Sequence, residues 1–332
     1  MEENQAMEGA ALEKKAAEWM AYAEKEAGET FGMNLAEVGL PFYLSEGMDA
    51  RFEKGALLIS RGPLLTAVRV FPATGTNAEG TEDNPAVANA QVITLMTPGL
   101  ASTLKETPGM MNQLNGLACG GALARNEHGD FYVGSRVTLF QKEGAWEEVL
   151  LPLLRGSILY GVSGILSGAM AMMQNGKKEQ GEPSAWTGED LQQAASLIPE
   201  SCKHTCTDTL LSVEFSLGDG VPALLCMDAS VTHPGMGSGL LSTLTLPLAK
   251  AGAQEREKVV MTLNRLEMYR ESRAQHFGAW CWQENDALRY VSFFPNVMKL
   301  PSLTTCWPSV QAARAPWALN MAVALLRGEA SK

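Results

Sequence analysis

The feature of the sequence that most constrains the fold is a pattern that occurs twice. Leu-Asn-Gly-Leu at 114–117 returns as Leu-Asn-Arg-Leu at 263–266, and each copy ends an apolar-periodic run that predicts a helix. A predicted hairpin follows each copy, at 121–140 and at 278–293, with the same interval between its leading glycine and its return strand. The repetition indicates one structural unit that is present twice.

The elements around this pattern also match, because each half of the chain reads helix, three strands, helix, two strands, helix. In the first half the leading helix is predicted at 10–27, the strands near 56–60, 65–71 and 90–96, and a polar loop at 73–89. In the second half the helix is predicted at 186–199 and the strands at 210–217, 221–231 and 240–248. The sequence therefore predicts an α+β fold of two tandem α-β-β-β-α-β-β-α units, each an antiparallel sheet flanked by helices.

A polar run rich in Gly, Lys, Glu and Pro lies between the two halves. Such a composition is typical of a linker. We therefore predict a first domain at 1–174, a linker at 175–184 and a second domain at 185–332.

One apolar stretch competes with the interpretation of a soluble chain. Gly156–Met173 has eighteen residues without a charge, and Gly164 and Gly168 stand in the GxxxG spacing of closely packed helices. It is either a membrane span or a buried helix whose small residues admit a neighbour. The stretch is at the short limit for a span. It also occupies the place of the final helix predicted to begin near Pro308 in the second half, which argues against a membrane.

The charge of the chain excludes one class of function. Lys and Arg number 26 against 37 Asp and Glu, for a net charge of −11, so the basic face that a nucleic-acid binder needs is missing.

The six cysteines are spread along the chain, mostly beside apolar residues, which is typical of reduced thiols in the cytosol. The first thirty residues are acidic and alanine-rich and predict neither a signal nor a transit peptide. We expect a cytoplasmic protein.

Residues 108–170 resemble a known bacterial family. The resemblance is carried by Asn112, Leu114 and Asn115 on the predicted middle helix, by the glycine pair at 120–121, by His-Gly-Asp at 128–130 and by an apolar final helix. With the order of elements, these positions resemble the type III secretion chaperone-like fold and the bacterial sensory transduction regulators related to it. Residues 263–328 resemble a more degenerate copy.

The resemblance implies an α/β sandwich that binds another polypeptide, or pairs with itself, and performs no chemistry. Secretion chaperones of this kind are small acidic homodimers with one unit per chain. Because this chain carries two copies, the resemblance implies a pseudo-dimer within one chain.

Cys202, His204 and Cys206 form the most metal-like cluster in the sequence. Zinc takes four soft or borderline ligands, usually as two compact pairs, and here one pair with Cys-x3-Cys spacing is present. Two interpretations stay open. One is a metal site completed by Cys226 or His233, and the other is a turn between a helix and a strand.

Other catalytic patterns find less support. The histidines at 128, 204, 233 and 276 have no spacing that suggests a Cys/His nucleophile. The glycines at 235, 237 and 239 precede an alternating, strand-like run, whereas a dinucleotide loop opens a helix.

Three aromatic residues are candidates for a partner surface. Trp280 and Trp282 lie two residues apart on a predicted strand, so that they share one face, and Tyr290 lies on the return strand. Core packing is one interpretation. The other is an exposed aromatic patch, because such residues concentrate in the cores of interfaces. Together with Gly164 and Gly168 they are the candidate partner-binding residues.

The sequence favours a non-enzymatic protein-binding factor, namely a chaperone, adaptor or regulator that acts through an apolar sheet or helix surface. We expect no cofactor, and we expect another protein or a second copy of this chain as the partner. The alternative is a metal-dependent enzyme or regulator centred on Cys202, His204 and Cys206.

Overall fold

The structure, a computed structural model, describes most of the chain from residue 47 onward. The described residues are 47–53, 56–72, 86–96, 109–126, 128–140, 147–173, 182–217, 220–248, 251–269, 274–283, 287–300 and 302–329. The helix predicted at 10–27, most of the polar loop at 73–89 and most of the linker at 175–184 lie outside them.

Thirteen strands and five α-helices form within these residues. The strands are β1 (Asp49–Glu53), β2 (Ala56–Arg61), β3 (Leu64–Pro72), β4 (Ala86–Met96), β5 (Ala122–Arg125), β6 (Phe131–Phe140), β7 (Lys203–Cys206), β8 (Leu210–Ser216), β9 (Pro222–Asp228), β10 (Thr232–His233), β11 (Gly237–Pro247), β12 (Ala279–Trp282) and β13 (Ala287–Pro295). The helices are α1 (Met110–Asn115), α2 (Glu147–Met173), α3 (Gly188–Ser196), α4 (Ala253–Glu267) and α5 (Leu303–Leu326).

The strands form two antiparallel sheets, which confirms the predicted α+β class. The six-stranded sheet has the order β1-β2-β3-β4-β6-β5. The seven-stranded sheet has the order β7-β8-β9-β11-β13-β12, with the short β10 paired to β11. Apart from β10, the strands of the two sheets follow one another along the chain in the same spatial order. A helix, α1 or α4, stands before the last hairpin in each case.

Each sheet has one edge strand that the sequence analysis omits, β1 or β7. β7 contains His204 and Cys206 of the metal-like cluster, so this segment is a strand and the alternative prediction of a turn is wrong. It pairs with β8 from Lys203↔Glu214 to Cys206↔Leu211. Its side chains are exposed or half-buried. A short polar strand of this kind has no apolar alternation by which a sequence reveals it. β7 is a strand because its backbone groups pair with those of β8.

Two predicted boundaries are corrected. β4 begins at Ala86, so the last four residues of the predicted polar loop, 86–89, are strand. α5 begins at Leu303, ahead of the predicted start near Pro308, and it contains Pro308 and Pro316. The prediction places Pro308 in the first turn, where proline is favoured. A helix also tolerates proline within its length when the surrounding packing offsets the lost hydrogen bond.

The chain divides into two compact units that do not follow the halves of the sequence. The first unit combines the residues up to Thr107 with Ala124–Glu143 and Met268–Gln275. The second unit combines Pro108–Leu123, Gly144–Glu267 and the residues from His276 onward. Helices α1 and α2 therefore belong to the same unit as the seven-stranded sheet, although the first half of the sequence encodes them.

The first unit has an apolar cluster on one face of its sheet. The cluster consists of Ala56, Leu58, Leu65, Leu95, Ala124 and Tyr132. Further along the same face the buried residues are polar, and they bond the backbone of Met268 and Ala274. Gln91 Nε2 donates to the Met268 carbonyl at 2.5 Å, and Arg136 Nη2 donates to the Ala274 carbonyl at 3.1 Å.

In the second unit, α5 covers one face of the seven-stranded sheet. Trp307 Nε1 donates to Ser242 Oγ at 2.7 Å, and its ring meets the edge of Phe294 at a centroid distance of 5.0 Å. Leu225 and Leu244 are completely buried on this face. The opposite face, on β7, β8 and β9, carries exposed and half-buried side chains.

Candidate functional site

The three aromatic candidates are buried in the second unit. The exposed fractions are 0% for Trp280, 1% for Tyr290 and 6% for Trp282. The interpretation as an exposed patch is therefore wrong, and these side chains belong to the core. Strand alternation could not reveal this, because β12 is buried on both faces.

Trp280 and Tyr290 take part in a buried polar network. Glu267 Oε1 accepts from Trp280 Nε1 at 3.3 Å and pairs with Arg314 Nε at 3.0 Å. The Arg314 guanidinium lies 3.8 Å from the centre of the Tyr290 ring, and the Tyr290 hydroxyl lies 3.2 Å from His276 Nδ1. Burial raises the pKa of Tyr290 well above its usual value. Groups so completely buried do not meet a substrate, and we assign the network to the specificity of packing.

Side-chain amides pair with the outer edge of β12. Asn264 Oδ1 accepts from the Trp280 amide at 2.7 Å, and its Nδ2 donates to the Trp280 carbonyl at 3.0 Å. Asn112 bonds both backbone groups of Trp282 in the same way. The backbone groups that an edge strand presents are therefore satisfied along β12, and no further strand can pair there.

Asn115, which stands in the first copy of the Leu-Asn pattern where Asn264 stands in the second, makes the equivalent contacts. It accepts from the Leu123 amide at 2.8 Å and donates to the Leu123 carbonyl at 3.0 Å. Leu123 follows Gly121 by the same interval by which Trp280 follows Gly278. The twice-occurring motif thus has one structural role in both places, which is to bond the first strand of the following hairpin.

The glycines of α2 pack inside the second unit. A Cβ atom on Gly164 would lie 2.6 Å from Cys119 Cβ. One on Gly168 would lie 2.9 Å from Leu117 Cδ1 and 3.0 Å from His233 Cε1. The GxxxG spacing therefore admits neighbouring residues of the same unit, as the interpretation of a buried helix requires, and neither glycine lies on an exposed surface.

One stretch of α2, Pro152–Ala171, is long and apolar enough to cross a membrane by length and composition. It is the one such helix in the described part of the chain, and 61% of the qualifying window is buried. A core helix of a soluble protein has these properties, so the structure is consistent with a soluble chain.

The Cys202, His204 and Cys206 cluster lies on and just before the edge strand β7. Within the described ranges, no group of three or more His, Cys, Asp or Glu side chains is placed to hold a metal ion. Desolvation, with a smaller effect from the Asp208 carboxylate, raises the pKa of the Cys206 thiol. A metal ligand or nucleophile needs the opposite shift, because the thiolate is the reactive form.

The outer edge of β7 is open, unlike that of β12. Thr207 N donates to the Leu210 carbonyl at 2.8 Å, so in this register Lys203 and Thr205 direct their backbone groups towards β8. The N–H and C=O groups of His204 and Cys206 therefore point away from the sheet. No residue in the described ranges makes a backbone hydrogen bond to them. The strand offers a ready template for a further strand.

The open face of the sheet adjoins this edge. One row of cross-strand neighbours runs Lys203, Glu214, Leu224, Thr245 and Arg289, from β7 to β13. Lys203 and Glu214 form an ion pair of 3.6 Å with side-chain exposures of 86% and 46%. Leu224 is 41% exposed. The row therefore combines an exposed apolar side chain with a cation at each end.

Neither the open edge of β7 nor Arg289 is among the site residues predicted from the sequence. The signal for Arg289 was present, because it stands between Leu288 and Tyr290, and alternation places a charge on the opposite face from these two residues. For β7 the sequence contained no comparable signal.

Searches of protein-family models, of curated proteins and of solved structures each find no match to this chain.

Proposed function

We propose that this protein is a non-enzymatic factor that binds another polypeptide, and that an extended segment of the partner adds to the sheet beside β7. The observation that carries the proposal is the contrast between two edges of one sheet. Asn112 and Asn264 bond the outward backbone groups of β12, whereas those of His204 and Cys206 on β7 have no such bonds in the described structure.

Strand addition would supply backbone hydrogen bonds to His204 and Cys206, and alternate side chains of the segment would supply specificity. On the open face the added segment would lie next to Lys203 and Thr205. The ion pair of Lys203 with Glu214 is exposed to solvent and therefore weak, so a carboxylate of the partner can compete for the ammonium group.

The proposal includes two tandem copies of one unit, in keeping with the resemblance to secretion chaperones. It is supported by the shared strand order of the two sheets and by the equivalent contacts of Asn115 and Asn264. We further propose a cytoplasmic location. The cysteines are free thiols, as expected in a reducing compartment.

A substitution that removes one outward donor tests the proposal. His204→Pro removes the N–H that points away from the sheet and keeps the bonds between β7 and β8, so the fold should survive. His204→Val keeps the N–H and is the matched control. We expect H204P to weaken binding to peptides selected from a random library by at least about tenfold, and H204V to bind like the wild type.

Hydrogen exchange locates the contact. In the complex of the wild type with a selected peptide, the amides of His204 and Cys206 should exchange more slowly, since they gain acceptors. Equal peptide affinity of H204P and H204V, with unchanged exchange at β7, would show that the peptide binds elsewhere.

A further inference from the structure

Arg289 is a half-buried cation placed among small neutral side chains, at the β13 end of the row that begins at Lys203. Its cross-strand neighbours are Thr245 on β11 and Cys281 on β12. It is half-buried, and its Nε atom is inaccessible to solvent and has no hydrogen-bond partner within the described ranges. A guanidinium in this position has lost part of its hydration without gaining an acceptor in exchange.

The other central arginine of the same unit is placed differently. Arg314 is completely buried, and its Nε lies 3.0 Å from a carboxylate oxygen of Glu267. For Arg289, burial lowers the pKa, and the groups that oppose this shift are the thiols of Cys281 and Cys226. No carboxylate of the described residues pairs with it. The guanidinium therefore keeps its capacity for an anion.

We infer that Arg289 anchors a carboxylate side chain of the polypeptide that binds at β7. This inference rests on the proposed function and names the chemistry of its partner. A guanidinium matches a carboxylate with two parallel hydrogen bonds. Nucleic acid and other polyanions fit less well, because Glu214 and Asp228 share the face and the chain has a net charge of −11.

The distance between β7 and Arg289 also sets the length that the partner segment needs. β7 and β13 are separated by four strand steps, through β8, β9 and β11, which is about 19 Å at the usual spacing of strands. A segment that leaves the β7 edge and crosses the face needs roughly six extended residues for this distance. In the adjoining row, Ser212 and Cys226 are small and half-buried, whereas Thr243 is buried, so the crossing follows the row from Lys203 to Arg289.

The probes are a set of Ser/Val-rich peptides of about 14 residues, long enough for the edge and the crossing. Each contains one Glu, placed at successive positions, and each has a twin with Gln in its place. Binding to the full chain is measured by fluorescence anisotropy. We expect the wild type to prefer Glu over Gln about tenfold at positions near the far end of the peptide. Arg289→Gln should abolish the preference and leave affinity for the Gln twin unchanged.

Arg327→Gln is the matched control, since Arg327 is an exposed cation at the end of α5. It should keep the preference. A second arm needs no peptide: sodium acetate, compared with sodium chloride, should shift the Nη–H signals of the Arg289 guanidinium in the NMR spectrum.

The outcomes separate the two proposals. Peptides that bind with equal affinity for Glu and Gln overturn the anchor and leave the proposed function. If no peptide binds, the proposed function fails, and the anchor to a partner segment fails with it. A missing acetate shift also counts against the anchor, because a guanidinium without capacity for an anion cannot serve as one.

Discussion

At the scale of single residues, side-chain amides replace missing strands at the edges of the sheets. An amide side chain has one acceptor and a donor in the arrangement of a peptide group, so it can bond both the N–H and the C=O of one residue. Asn264 does this for Trp280 and Asn115 for Leu123. In the first unit Gln275 does the same for Thr138, at 2.7 Å and 3.0 Å.

Replacing Asn264 with Leu tests the weight of such a contact. The substitution leaves the N–H and C=O of Trp280 buried without partners, at about 1–3 kcal/mol each. We expect the free energy of unfolding, measured in urea, to fall by about 2–5 kcal/mol. Arg265→Gln, at an exposed position on the same helix, should change it by less than about 0.5 kcal/mol. A similarly small loss of unfolding free energy in N264L would mean that water bonds the N–H and C=O of Trp280 in place of Asn264.

His233 connects a turn to a neighbouring segment of the second unit. Its Nδ1 accepts from the amides of Gly235 and Met236, each at 3.1 Å, and its Nε2 lies 3.2 Å from the Leu117 carbonyl. This arrangement requires a neutral ring with the proton on Nε2, since a proton on Nδ1 would face two donors. Desolvation lowers the pKa of His233, against a smaller opposite effect of the Leu117 carbonyl.

A pH dependence of stability follows. Because the pKa is lower in the folded than in the unfolded chain, the unfolded chain binds more protons, and stability rises with pH. The contribution is complete above about pH 6.5 and is lost as the pH falls towards the lowered value, by up to about 1.4 kcal/mol per pH unit. Urea midpoints from about pH 5 to 7.5 should show this slope in the wild type and in His128→Gln, and a reduced slope in His233→Leu. If the urea midpoints of all three proteins change equally with pH, titratable groups other than His233 cause the pH dependence.

At the scale of elements, α2 shows how glycine serves packing. Ala is the better helix former by about 1 kcal/mol. At Gly164 the added methyl meets Cys119 Cβ, which is fixed to the backbone. At Gly156 it meets the terminal atoms of the flexible Met298 side chain.

The two glycines therefore make a matched pair of variants. We expect Gly164→Ala to lower the free energy of unfolding by about 1–3 kcal/mol, because the overlap exceeds the gain in helix propensity. Gly156→Ala should cost clearly less, since Met298 can change its rotamer. Thermal unfolding of both variants provides the measurement. Equal losses would show that α2 as a whole, and not the contact with Cys119, resists the methyl group.

At the scale of the whole molecule, the two compact units are interleaved along the chain. The second unit needs α1 and the segment after it, because the Phe293 amide donates to the Ala118 carbonyl at 2.9 Å and Asn112 bonds Trp282. Both partners come from the first half of the sequence. A chain cut between the halves therefore keeps its contacts only if both pieces are present.

We expect the fragment 185–332 alone to lack a cooperative thermal transition by circular dichroism. The full chain with a protease site inserted within 174–181, and cleaved there after folding, should keep its transition. Cooperative unfolding of the isolated fragment would show that the second sheet folds without α1 and α2. That result would favour the domain boundary predicted at 175–184.

Much of the architecture could be predicted from the sequence, for physical reasons that also explain the omissions. The hairpins and the final helices have apolar patterns that only one kind of element satisfies. β7 has no such pattern, because its edge position requires only backbone pairing to β8. The burial of Trp280 and the assignment of α1 to the second unit depend on which distant segments cover a surface. Local periodicity carries no information on that.

The contact of Asn115 with Leu123 has a consequence for the chemical lifetime of the chain. Asn115 is followed by Gly116, and in an unfolded chain the glycine nitrogen readily attacks the side-chain carbonyl of such an asparagine, which releases ammonia and forms a succinimide. Water then opens the succinimide to aspartate or isoaspartate. In the folded chain the Gly116 N–H is bonded to the carbonyls of Asn112 and Gln113, each at 3.1 Å, and the Asn115 side chain is held by Leu123. An aspartate formed during unfolding would lack the donor for the Leu123 carbonyl. Molecules that carry this change would therefore refold without one of the two hydrogen bonds to Leu123, so old molecules would differ from newly made ones.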